Sequence, residues 1–323
     1  MVRQKLIGRN SLAIIPITGG FGNQLIQFAF GVYLRKVIGQ RVKFDSWIGK
    51  PRRTGEHVSL FNIELDTPIE VFKDGIFFKK LLSKSFGWNL YHGLKVTKTK
   101  LFRDKILKLI TNMSLQLRFR SFNNVIVSRN LGLDNLVIPS KPAIFIGYFQ
   151  TYIYASSPKV FETLCSIKPK HISQKYYELK SEILQTKPLL LHLRLTDYLV
   201  EEKFGVPSSS YYQSAIDKIS RERYFSEAWV VSDDIDGALV HLDRVSANFQ
   251  IVTFDQSGLS DVEVWDLMRY FSGYVISNSS FAWWAAFLRR DQEAPVYAPE
   301  PWFQGMDSPN ELIPSDWIRL PSS

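Results

Sequence analysis

The sequence predicts an α/β protein made of two Rossmann-like, doubly wound halves that face one another across a cleft. Three observations carry this. The chain opens with strand, glycine loop, helix and strand in immediate succession, which is how an α/β unit begins. Its second half alternates short apolar runs with helical periodicity, the pattern of a parallel sheet. Its 323 residues exceed one typical domain and suit two.

Residues 12–17 are an apolar strand candidate, followed by a loop at residues 18–22. Leu25, Phe28, Ala29, Val32, Tyr33 and Val37 then recur at helical spacing. Gly39 is placed to end that helix, and residues 41–45 read as the next strand. In the second half, strands are expected at residues 189–194, 228–232, 250–254, 274–277 and 296–298. Helices are expected at residues 210–219, 261–270 and 280–288, the second with Val264, Leu267 and Met268 on one face. A linker is expected within residues 148–170, dividing the chain into residues 1–155 and 156–323.

Composition narrows the class. Apolar residues make up 45% and charged residues 22%, which is globular and not disordered. Aromatics reach 14%, with eight Trp, enough for large apolar surfaces or sugar-facing platforms. The net charge of +9 favours anionic partners without choosing among them. A single cysteine, Cys165, excludes an internal disulfide and fits a reducing compartment. The apolar run at residues 12–17 is far short of the roughly 20 residues that span a bilayer, and no signal-peptide pattern opens the chain.

Residues 73–120 differ in texture. They hold 12 Lys/Arg against the acids Asp74 and Asp104, mixed with aromatic and aliphatic residues such as Phe77, Leu81 and Trp88. That suits a helix lying on an anionic membrane, or an insertion with a solvated basic face. No nucleic-acid reader motif accompanies it.

Ligands of doubly wound sheets bind outside the carboxyl ends of the strands, and four polar clusters fall there. Gly19-Gly20-Phe21-Gly22-Asn23-Gln24 lets backbone approach a ligand at a helix N-terminus, or makes a tight turn. In 192–198, strand alternation turns Leu191, Leu193 and Leu195 one way and His192 and Arg194 the other. Arg194 is suited to a bidentate grip on phosphate, or to an ion pair with Asp197. Ser232-Asp233-Asp234 offers carboxylates to a base edge or a ribose, a cap to the next helix, or part of a metal site. Ser277-Asn278-Ser279-Ser280-Phe281 precedes Trp283 and Trp284. It could hold a phosphate on hydroxyls and helix N–H groups, or Ser280 could cap a helix whose tryptophans fill core.

Taken together and in this order, these segments resemble the α-1,2-fucosyltransferases of glycosyltransferase family 11. GGFGNQLIQFAFG looks like that family's N-terminal motif, and LHLRLTDY like its H-x-R-R-x-D segment. VVSDD, ISNSSFAWWAAFL, GYFQTY at residues 147–152 and APEPWF at residues 298–303 fit as well. The resemblance implies a GT-B fold, GDP-fucose as donor, inversion at the sugar carbon, and no cofactor or metal. By analogy Arg194 would hold the pyrophosphate, with His192 seating the nucleotide and Asp233 reading the guanine. Asn278, Ser279, Ser280 and Phe281 would lie on the donor. Gly20, Gly22, Asn23 and Gln24 would line the acceptor-side cleft, which assigns residues 1–155 to the acceptor and 156–323 to the GDP-sugar.

Asp197, Glu201 and Glu202 follow the Arg194 strand and are candidates for a base that activates the acceptor hydroxyl. Leu195 stands where the family often has a second Arg. Strand alternation points it away from Arg194, so the phosphate grip is expected to survive the change. The resemblance further implies a glycan acceptor, lipid-linked in surface-polysaccharide synthesis. The expected setting is cytoplasmic, at the inner face of an anionic membrane, with no nucleic-acid partner.

Overall fold

The computed structural model describes residues 11–45, 59–65, 71–72, 124–127, 138–200, 203–309 and 311–323. The basic aromatic segment at residues 73–120 lies outside them, as do Glu201 and Glu202.

Two all-parallel sheets organise these residues. The first contains β1 (Leu12–Pro16), β2 (Arg41–Asp45), β4 (Val71–Phe72), β5 (Asn124–Val127) and β6 (Ala143–Ile146), in the order β4-β2-β1-β6-β5. The second contains β8 (Leu189–Leu193), β9 (Glu227–Ser232), β10 (Gln250–Thr253), β11 (Gly273–Val275), β12 (Val296–Glu300) and β13 (Ile318–Pro321). Its order is β10-β9-β8-β11-β12-β13. A two-stranded antiparallel ribbon, β3 (Ile63–Glu64) with β7 (Lys168–Pro169), ties the halves together. This is the GT-B arrangement.

Strand order locates the crevices. In the first sheet the winding reverses between β1 and β6, and in the second between β8 and β11. At such a switch point the connections leave in opposite directions and open a gap beyond the strand ends. The loops after β1, β6, β8 and β11 are therefore the ones placed to bind.

Helix α1 (Phe21–Tyr33) follows β1, passes into a π-helical turn at Leu34–Ile38, and stops at Gly39. Gly39 adopts φ 83°, a conformation that favours glycine. The later helices are α2 (Pro158–Cys165), α3 (Gln174–Thr186), α4 (Ser209–Glu222), α5 (Ile235–Leu242), α6 (Asp261–Met268) and α7 (Ser280–Phe287). Helix α2 lies inside the stretch expected to be a linker. It had no sequence expectation, nor had α3, β3, β4, β5, β6, β7 or β13, and α5 was expected only as the helix that Asp234 would cap. Helix α3 shows why: only Tyr176 and Ile183 are buried on it, too few apolar positions to display a period.

Sheet alternation divides the core. Leu189, Leu191, Leu193 and Leu195 pack into one apolar cluster with Tyr211, Ile216 and Ala238, while Leu190 belongs to the larger cluster on the opposite face. That larger cluster joins the halves. Phe21 of α1 stands edge-on to Trp265 of α6, with ring centroids 5.4 Å apart, and to Phe281 of α7 at 6.3 Å. Edge-to-face pairs of this kind add about 0.5–1.5 kcal/mol beyond their burial.

A buried polar network locks the second half to the stretch that enters it. Arg269 is fully buried and donates from Nη1 to Asp266 Oδ1 at 2.8 Å. It also donates to the carbonyls of Ile167, Cys165 and Leu288. Tyr176 donates to the other Asp266 oxygen at 2.6 Å.

Candidate active site

The glycine loop is built from within α1. Gly19 sits at φ 78°, which favours glycine. Gln24 donates from Nε2 to the Gly19 carbonyl at 2.8 Å, and its Oε1 accepts from Leu60 N–H at 3.3 Å. Gln27 accepts from Thr18 N–H at 2.9 Å and donates to the Gly147 carbonyl at 3.1 Å. Gln24 is thus a buried staple of the loop, and Gln27, which the sequence analysis passed over, does the same work one helical turn further on. Its signal was present: a Gln at i+3 from Gln24 on an otherwise apolar helix face.

Gly20 and Gly22 separate in role. Gly20 is exposed, and a Cβ there would meet nothing within 4 Å. Gly22 is buried against α7, where a Cβ would come within 2.5 Å of Phe281 N and within 2.6 Å of Ser280 Oγ. The N-terminal turns of α1 and α7 therefore meet. Gly20 and Ser279, their N-caps, make no side-chain capping bond, and neither first turn holds an acid. By contrast α3, α4, α5 and α6 are capped by Ser173, Ser208, Asp234 and Ser260. Uncapped N-terminal N–H groups, with the positive end of the helix dipole behind them, attract anions. The cap of α7 is Ser279 and not Ser280, as sequence reasoning had allowed.

Arg194 lies just beyond β8. Its Nε reaches Asp197 Oδ1 at 2.8 Å and Asp233 Oδ2 at 3.3 Å. Both aspartates hold the same edge of the guanidinium, and no described residue is recorded on its Nη nitrogens. Asp233 also accepts from Leu195 N–H at 2.9 Å and from the Thr196 N–H and hydroxyl. Thus Asp233 moulds the loop that carries Arg194. Asp234 caps α5 through Gly237 N–H at 3.0 Å, and among the described residues no group of three or more metal-ligating side chains gathers.

His192 is buried, with Nδ1 2.9 Å from Ser277 Oγ. Burial, seconded by the Arg194 charge, depresses its pKa to about 3. The imidazole is neutral across the physiological range. Asn278 is also buried and donates to the carbonyls of Phe204 and Gly205 at 2.9 and 3.0 Å, holding that loop over the cleft.

A cleft opens between the halves. From the first sheet's side Asn23, Ile26, Tyr148, Gln150 and Thr151 line it. From the second come Tyr198, Phe204, Asn278, Ser280, Trp283, Trp302 and Phe303. Phe149 reverses the chain just before Gln150 at φ 53°, held by stacking on Phe30 at 4.2 Å. His192 and Arg194 do not line this cavity. They stand beside it at the β8 end, and Tyr198 joins the two regions, its ring 6.0 Å from the guanidinium. Gln150, Trp302 and Phe303 lie in segments that resemble family motifs but carry no individual signal of a role, and nothing in the sequence marks Phe204.

An arginine-bearing strand end beside an aromatic cleft, at the switch points of two parallel sheets, fits a glycosyltransferase of the GT-B type. The chain belongs to glycosyl transferase family 11, whose family model matches residues 127–302, more than half of it. The glycine loop lies before that stretch. An α-1,2-colitosyltransferase of Escherichia coli is 29% identical over 183 residues, covering 54% of this chain and 62% of that one. The chain thus spans less than two thirds of that relative. The O-antigen biosynthesis glycosyltransferase WbnK of Escherichia coli is 26% identical over 320 residues, covering 94% and 99%. Among solved structures, the fucosyltransferase NodZ from Bradyrhizobium is 12% identical with a TM-score of 0.46, covering 88% of this chain and 97% of that one.

Proposed function

We propose that the protein transfers L-fucose from GDP-fucose to the 2-hydroxyl of a galactoside, with inversion and without a metal. The observation that carries this reading is Arg194. Two aspartates fix its Nε edge at the end of β8, the strand paired with the β11 that leads into the uncapped α7, and its two Nη groups are left for a diphosphate.

The demanding step is departure of GDP. As the bond from sugar carbon to phosphate oxygen breaks, negative charge builds on the diphosphate. Arg194, the Ser279 and Ser280 hydroxyls and the N–H groups near Phe281 neutralise it. The acceptor hydroxyl attacks from the opposite face and gives up its proton. Asn23 lies in the cleft on that side, with Gly20 giving open approach. Asp197 has one oxygen committed to Arg194, so as a base it would use the other. Glu201 and Glu202 remain candidates from sequence. In guanine recognition Asp233 would use the lone pairs that Leu195 and Thr196 leave free.

The linkage and the setting draw support from the relatives. One is named for α-1,2 transfer and the other for O-antigen biosynthesis. A lipid-linked glycan acceptor and a cytoplasmic site at the inner membrane face belong to the same reading, supported by the basic residues at 73–120. The colitosyltransferase name favours a second reading, the same linkage made with a different nucleotide-linked sugar.

Titration of the protein with GDP-fucose, other GDP-sugars and UDP-sugars in a calorimeter tests the donor. The proposal expects GDP-fucose to bind most tightly. Preference for another GDP-sugar supports the second reading, and preference for a UDP-sugar rejects both.

A further inference from the structure

We infer that Ser277 is a positioning residue for this reaction: it holds His192 in the tautomer with its proton on Nε2, making the neutral ring a hydrogen-bond donor to the diphosphate beside Arg194. The inference rests on the nucleotide-sugar reading of the same site.

Ser277 follows β11 and is fully buried. Its N–H donates to the His192 carbonyl at 3.1 Å, and its Oγ lies 2.9 Å from His192 Nδ1. Among the described residues no other partner is recorded for that hydroxyl. If Nδ1 carried the proton and donated to Oγ, the buried Ser277 O–H would be left without an acceptor. A buried unsatisfied donor costs about 1–3 kcal/mol, whereas a hydroxyl oxygen tolerates an idle lone pair. Ser277 therefore donates to Nδ1, and the ring proton resides on Nε2, since the bond made by one imidazole nitrogen fixes the other. No described residue bonds Nε2, and that atom keeps some contact with solvent.

The surroundings keep the ring neutral and in place. Arg194 on the same strand face opposes a second positive charge, and Asp233 at the β9 end offsets this in part. The Phe281 ring of α7 lies 6.4 Å from the imidazole, and Tyr212 of α4 donates to the His192 carbonyl at 3.0 Å. The diphosphate would thus meet one permanent cation and one neutral N–H donor. The donor keeps its form without titrating, so donor binding should not weaken as pH rises through the ordinary histidine range.

Nitrogen chemical shifts of the histidine rings test the first half without ligand, with His192 assigned from the His192→Gln spectrum. The expected signature is a protonated Nε2 and a bare Nδ1 at neutral pH, changed in Ser277→Ala and restored in Ser277→Thr. A protonated Nδ1, or an imidazolium, overturns the inference. GDP affinity tests the second half. His192→Gln can place an amide N–H near Nε2 and should stay within about threefold of the parent. His192→Asn reaches only the Nδ1 position and should weaken GDP roughly tenfold, as should Ser277→Ala. Equal affinity in His192→Asn and the parent overturns the inference while leaving the donor reading intact. If the parent binds no GDP, the donor reading itself fails and the role in the reaction falls with it. A thermal melt of each variant identifies loss of fold, in which case the ring shifts of the unmutated protein decide.

Discussion

Gly22 of α1 and Phe281 of α7 approach so closely that a Cβ on residue 22 would lie 2.5 Å from the Phe281 backbone nitrogen. The obstacle is backbone, which cannot rotate away as a side-chain tip could. This contact brings two uncapped helix N-termini together at the cleft. Gly22→Ala should therefore cost about 1–3 kcal/mol, the usual range for overpacking, and lower transfer activity as α7 shifts. Gly20→Ser meets open space and supplies a capping hydroxyl, so its denaturation midpoint should match or exceed the parent's. A stable, fully active Gly22→Ala would contradict this geometry.

Arg194→Lys should lower turnover by about 10²–10³, the usual cost of removing one preorganised donor at a developing charge. Lysine keeps the charge but lacks the fork whose one edge pairs with two aspartates and whose other would meet a diphosphate. Steady-state rates against donor concentration check this, and turnover near the parent level would remove Arg194 from its role.

Leu195 is 3% exposed and lies in the apolar cluster with Leu191 and Leu193. Leu195→Arg would force a charge into that apolar cluster, so stability should fall by roughly 3 kcal/mol, with no gain in turnover. A rise in activity by orders of magnitude would show that the missing second Arg does belong to the phosphate site.

The His192 ring gives a sign-defined pH effect. Its folded pKa is lowered to about 3 by burial and by Arg194, against about 6.5 when unfolded. Between those values the unfolded chain binds the extra proton, so its contribution to stability is full above about pH 6.5 and declines as pH falls toward 3. Urea midpoints measured from pH 7 to 4 should fall less steeply in His192→Gln than in the parent. Parallel slopes would show that the ring titrates normally.

Asp266→Ala would strip the carboxylate from a buried Arg269 whose other hydrogen bonds go to carbonyls and whose guanidinium lies over the Trp265 ring. Breaking a buried pair on one side costs about 3–5 kcal/mol. Chemical denaturation should show a loss in that range, and a loss under 1 kcal/mol would mean that the network contributes little.

Much of this was legible in the sequence where a period or a glycine imposes it. The β1–loop–α1–β2 unit, the strand end at His192 and Arg194, and the inward turn of Leu195 all follow from alternation and from turn chemistry. The halves of the site were legible too, as clusters at strand ends. Their supporting contacts were not. Gln24 bonds the Gly19 carbonyl and Leu60 N–H, and Asp233 accepts from the Leu195 and Thr196 N–H groups, contacts that the sequence does not announce. Which partner a polar side chain meets is set by tertiary contacts across many residues, such as Gln24 with Leu60 and Asp233 with Leu195. Phe204 reaches the cleft because Asn278 holds its loop there, a relationship that no local pattern encodes.

The most direct test of the central claim is the structure of the product. Purified protein would be incubated with GDP-fucose and a panel of galactosides in EDTA, and the linkage read by NMR. The account predicts GDP release and fucose α-linked to the 2-hydroxyl of galactose. Fucose on another hydroxyl, or turnover of the same acceptors only with a different sugar nucleotide, would contradict it.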